Sequence, residues 1–113
     1  MKKLLLFLTA LNLVGCMNVY NYRAEQPVTA KFYSSKPPQE TQECILSLWQ
    51  KEPLGNSVTA QKTNQFYSVL AVVDNVDTFY ENDKVVVKYY SLRGSLDPRK
   101  GKTKRMESIQ SCL

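Results

Sequence analysis

The stretch Gln65-Phe66-Tyr67-Ser68-Val69-Leu70-Ala71-Val72-Val73 constrains this chain more than any other. It is almost wholly apolar and rich in strand formers, with none of the polar alternation of a half-wet strand. Such a run reads as a central strand covered on both faces. A chain that holds one must build a sheet and supply something to lie on each side of it.

The flanking segments suggest what those layers are. Val28-Thr29-Ala30-Lys31-Phe32-Tyr33-Ser34 alternates, which predicts a first strand with Val28, Ala30 and Phe32 on one face. Ser34-Ser35-Lys36-Pro37-Pro38 stops it and starts a helix. Either serine is a fitting cap, the prolines suit a first turn, and Glu40 lies near the positive end of the dipole. The helix is expected over about 37–52. Thr41, Cys44, Ile45, Leu48 and Trp49 share one face, with Gln42, Glu43, Ser47 and Gln50 mostly on the other. Pro53 and Gly55 end it.

Beyond Asn56 the period changes. Val58 to Lys62 predicts a short strand and Thr63-Asn64 a turn. Asp74 to Asp83, with four acids and Asn82-Asp83, reads as a solvated loop. Lys84 to Leu92 predicts another strand, wetter on the face of Lys84 and Lys88. Gly94 to Pro98 breaks it. From about Lys102 to Cys112, Met106, Ile109 and Cys112 fall at helical spacing. The expected fold is α+β: a small, mostly antiparallel sheet of about four strands, one main helix and a short C-terminal helix, with both helices on one face.

The sequence has 113 residues and begins with Met1-Lys2-Lys3, followed by an apolar run from Leu4 to Val14. A basic start, a short apolar core and a small residue before the cut are the marks of a secretory signal peptide. The run is shorter than the roughly 20 apolar residues needed to span a bilayer. Leu13-Val14-Gly15-Cys16 resembles the lipobox of bacterial lipoproteins. That resemblance implies cleavage after Gly15, removing residues 1–15, and lipidation of Cys16. It also implies an outer-membrane, periplasmic-face location in preference to the inner membrane, because Met17 follows the anchor where an inner-membrane lipoprotein commonly has Asp. Residues 16–27 become anchor and tether, and 28–113 a single domain.

With Cys16 taken by lipid, Cys44 and Cys112 remain as an even pair in an oxidising compartment, and a disulfide between them is expected. Two free buried thiols are the alternative. The mature part is also similar to uncharacterised small bacterial lipoproteins, through Ser34-Ser35-Lys36-Pro37-Pro38-Gln39-Glu40, Cys44-Ile45, Trp49 and a terminal Cys. That resemblance supports the order of elements and the Cys44–Cys112 pair, and it implies no activity.

The chemistry available is narrow. The chain has no histidine, so neither a thiol nor a serine has an imidazole base, and no metal-binding spacing is present. Asp74, Asp77, Glu81 and Asp83 lack the spacing and central glycine of a calcium loop. No cofactor and no enzymatic activity are expected. The net charge of +5 falls to +3 once Lys2 and Lys3 are cleaved away. Positive charge then concentrates in Arg93, Arg99, Lys100, Lys102, Lys104 and Arg105, a candidate contact for anionic headgroups or an acidic partner, or else a solvated basic loop. The compartment argues against nucleic acid. The expected function is a membrane-tethered, protein-binding envelope domain, accessory to an envelope or secretion assembly. The alternative is an inhibitor or immunity protein that blocks a toxin or a cell-wall hydrolase.

Overall fold

A computed structural model describes residues 21–113. The expected signal peptide, Cys16 and residues 17–20 of the tether lie outside them. The described elements run α1 (Tyr22–Glu25), β1 (Ala30–Ser34), α2 (Pro38–Lys51), β2 (Thr59–Thr63), β3 (Phe66–Ala71), β4 (Asp74–Glu81), β5 (Lys84–Ser91) and α3 (Gly101–Ser111). The strands form one antiparallel sheet in the order β1-β5-β4-β3-β2. β2 to β5 make a meander, and β1 joins its far edge beside β5. The class is α+β as expected, with five strands where about four were expected.

The additional strand is β4, in the stretch read as a solvated loop. It lies between β3 and β5, with Val76 opposite both Val69 and Tyr89. Asp74 and Asp77 are fully buried there. Burying a charge is costly unless it is paired and hydrogen-bonded. Both carboxylates are paired, with arginines from distant parts of the sequence, so their charge gave no indication of solvent.

The turns on either side of β4 follow from backbone geometry. Asn82 and Asp83 have φ of 51° and 65°, the pair of positive values that a tight two-residue hairpin needs. At the other end the apolar run stops earlier than expected, because Val72 and Val73 form the turn and not the strand end. Val72 has φ 66°, and the Val73 N–H donates to the Ala71 carbonyl at 2.8 Å. That is a three-residue γ-turn with a β-branched residue in a strained position. The Asn75 amide holds it, accepting from Ala71 N and donating to Val72 O.

The core lies between the sheet and the two longer helices. Ile45 and Trp49 of α2, with Ile109 of α3 and Cys112, meet Val69, Ala71, Val76, Val87 and Tyr89 of the sheet. The helical face expected from Thr41 to Trp49 points inward, and Thr41, Ile45 and Trp49 are all fully buried. Gln42, expected on the solvent side, turns to the sheet and donates to the Ser68 carbonyl at 2.9 Å. The expected serine cap is not formed. Pro37 holds the cap position, Ser35 Oγ donates instead to the Leu113 carbonyl, and Ser34 Oγ accepts from Lys36 N. Cys44 and Cys112 form the disulfide, with Cα atoms 5.7 Å apart, joining α2 to the end of α3.

The opposite face of the sheet, which we term the outer face, is not bare. Phe66, Ser68, Asp77, Phe79, Val86, Lys88 and Tyr90 alternate onto it, and α1 lies across it with Tyr22 packed edge-on against Tyr90 at 5.0 Å. Lys84 is exposed and Lys88 half-buried, whereas Val85, Val87 and Tyr89 on the helix side are all buried, so this is the wetter face of β5 as expected, although Val86 and Tyr90 are buried on it. Residues 21–26 of the stretch read as tether are therefore part of the folded body.

Candidate interaction surface

Two buried carboxylates and one exposed end of the sheet hold the polar side chains that could act. Asp77 faces α1. Its Oδ1 accepts from Tyr22 Oη and Ser68 Oγ, each at 2.6 Å, and from Arg23 Nη2 at 3.0 Å. Its Oδ2 accepts from Arg23 Nε at 2.6 Å. The guanidinium lies 4.0 Å from the centre of the Phe66 ring, where the negative face of the ring attracts it. The hydrogen bond to Asp77 holds the Arg23 pKa above its ordinary value, and burial pushes the Tyr22 hydroxyl up. Four donors occupy this carboxylate, which leaves it little capacity to accept a substrate proton. The arrangement is suited to fastening α1 to the sheet.

Asp74 faces the other way, toward the helices. Its Oδ1 accepts from Tyr89 Oη at 2.6 Å and Ser91 Oγ at 2.9 Å, and its Oδ2 from Arg93 Nε at 2.9 Å and Arg105 Nε at 3.3 Å. Two cations on one anion leave positive charge over. Arg105 offsets part of it by donating to the Glu52 and Pro53 carbonyls, at the negative end of α2. Its guanidinium also lies 4.6 Å from the Trp49 ring. Burial lowers the Arg105 pKa, and the Asp74 charge opposes that shift. The Arg93 head lies against Gly101, where any Cβ would come within 2.5 Å of it, so α3 begins on a residue with no side chain.

The basic segment therefore does not form a single patch. Arg105 is 1% exposed, and Arg93 is also engaged with Asp74. Lys104 pairs with Glu52 at 2.8 Å. Lys102 is half-buried, leaving Arg99 and Lys100 as the exposed pair. Asp97 stands among them and accepts from the Gly101 and Lys102 amides at 2.9 Å, which lowers its pKa. Among the described residues, no group of acids and cysteines has the arrangement of a metal site.

The most open surface is at the other end of the sheet. There the β1–α2 loop, the β2–β3 turn and the β4–β5 turn come together. Tyr33, near the end of the edge strand β1, and Tyr80, near the end of β4, are 55% and 60% exposed. A cleft of about 520 Å³ runs past Tyr33, Ser35, Lys36, Pro37, Tyr80 and Lys84. A second, of about 350 Å³, lies on the far side of Tyr80 between Pro38, Lys62 and Tyr67. Lys31 and Lys84 each place Nζ 5.5 Å from the Tyr33 ring, and Lys62 lies 5.1 Å from Tyr67. Exposed tyrosine is enriched where proteins meet, and the lysines bias such a surface toward acidic partners. The number of tyrosines was visible in the sequence, but their convergence was not, because β4 was not recognised as a strand.

No protein-family model matches the chain, no curated protein matches it, and no solved structure matches it.

Proposed function

We propose that this chain is a lipid-anchored envelope lipoprotein that binds another protein and catalyses no reaction. Anchorage rests on the signal-peptide order and on Leu13-Val14-Gly15-Cys16, which support a diacylglyceryl group on Cys16, and Met17 supports the periplasmic face of the outer membrane. Tethering then raises the effective concentration of the domain for partners on the same surface. The observation that carries the binding role is the exposed Tyr33–Tyr80 end, with its prolines and lysines. The buried acids fit the same reading, since Asp74 and Asp77 are both taken up by arginines.

The test places a photo-crosslinking residue at Tyr33, at Tyr80 and, as a control, at Glu43 on the exposed side of α2. The full chain is expressed in a Gram-negative host, and cross-linking is carried out on intact cells. A discrete adduct from Tyr33 and Tyr80 that is absent from Glu43 is expected, and it should disappear on Tyr80→Ala in the Tyr33-labelled chain. Equal labelling from all three positions would remove the assignment. In parallel, Cys16→Ser should abolish incorporation of labelled palmitate.

A further inference from the structure

The N-terminal segment settles onto the sheet sooner than its sequence suggests, and this bears on how the domain meets its membrane. Residues 17–27, if extended throughout, reach about 35 Å. Tyr22 and Arg23 are fixed to Asp77 by the bonds described above, and Arg23 Nη2 also donates to Ser68 Oγ at 3.3 Å. Only residues 17–21 then separate Cys16 from a point held on the outer face, a span of about 20 Å at full extension. The chain also leaves from that face and not from the helix side.

We propose that the outer face of the sheet is the membrane-apposed surface of this domain, and that the Tyr22-Arg23 clasp on Asp77 holds it against the headgroup layer. The inference rests on lipidation of Cys16 and goes beyond it, since a lipid anchor alone allows any face to point down. The chemistry of the face suits headgroups. Lys31 and Lys84 are exposed there and Lys88 is half-buried. Arg23 neutralises Asp77, leaving Glu25, Glu81 and, in the β4–β5 turn beside Lys84, Asp83 as the opposing acids. Cations near an anionic lipid surface contribute about 1 kcal/mol each. The exposed side of α2, with Glu40 and Glu43, then points away from the membrane. The Tyr33–Tyr80 end lies at the margin of the apposed face, where a partner on the same membrane can reach it.

The experiment uses the full lipidated chain, purified in detergent and returned to vesicles of phosphatidylethanolamine and phosphatidylglycerol. A fluorophore is attached through Lys31→Cys on the outer face or Glu43→Cys on α2, and a headgroup-labelled lipid serves as quencher. Mass spectrometry of the same samples reads the lipid on Cys16 and the Cys44–Cys112 bond, so a failure of anchoring is seen separately. Quenching at Lys31 and not at Glu43 is expected. Releasing the clasp with Tyr22→Ala and Arg23→Ala together should abolish that difference, with the near-ultraviolet circular dichroism of the Trp49 core confirming the fold. Equal quenching at the two positions in lipidated chain with the clasp intact would overturn the proposal, and so would stronger quenching at Glu43.

Discussion

Asp74 and Asp77 are three residues apart on β4, so their side chains leave the sheet on opposite faces. Each meets a tyrosine hydroxyl at 2.6 Å, Tyr89 on one side and Tyr22 on the other. Burial, the larger cause, and the neighbouring carboxylate both disfavour a phenolate, so both tyrosines hold their protons well above the ordinary range. The consequence for stability has a definite sign. An unfolded tyrosine ionises near pH 10. Below that pH the contribution of these hydrogen bonds is complete, and it is lost as pH rises above 10 toward the folded-state values. Denaturation followed at pH 8 and pH 11 should show a clear drop in stability, and Tyr22→Phe with Tyr89→Phe should reduce it. Absorbance titration of the folded protein should leave these phenols protonated after the exposed ones have ionised. Complete titration of all tyrosines in one step would contradict the hydrogen bonds.

At the scale of elements, hydrophobic period identified α2, α3 and the apolar strands, because Ile45, Trp49, Ile109, Val69 and Val87 mark the inward faces there, even beside the buried Gln42 and Arg105. It failed at β4, where the inward positions include Asp74 and Thr78 and the outward ones Asn75 and Asp77. The partners that make those residues compatible with burial, Arg23, Arg93 and Arg105, lie 19 to 54 residues away, beyond the reach of any local window. A local signal did exist in Val76, Thr78, Phe79 and Tyr80, strand formers followed by Asn82-Asp83. The disulfide was legible because it depends on count and compartment and not on local pattern. It joins α2 to the end of α3 across 68 residues, for which chain-entropy arguments give about 4 kcal/mol. Cys44→Ser should lower the midpoint of thermal unfolding substantially in oxidising buffer, on the order of 15 °C for a domain of this size. The same substitution should have little further effect once the native protein is reduced. A midpoint unchanged in oxidising buffer would mean that the bond contributes nothing to stability.

For the molecule as a whole, β4 joins segments that are far apart in sequence. Through Asp77 it holds the N-terminal clasp on one face, and through Asp74 it draws the β5–α3 connection and α3 onto the other. Much of the positive charge of the segment after β5 is thereby used internally, and the proposed partner surface lies instead at the Tyr33–Tyr80 end. That part of the account was not legible in the sequence, since it depends on which tyrosines the hairpin turns bring together. The central claim is that Asp74 and Asp77 are interior pins and not loop acids. It is tested most directly by thermal unfolding of Asp74→Ala, Asp77→Ala and Glu81→Ala side by side. Asp74→Ala strands Arg105 in the core and should cost about 3 kcal/mol. Asp77→Ala leaves the Tyr22 and Ser68 hydroxyls without their acceptor and should cost about 2 kcal/mol. Glu81→Ala, at an exposed position, should stay within about 0.5 kcal/mol of the parent. Three variants with the same midpoint as the parent would return residues 74–81 to solvent and contradict the account.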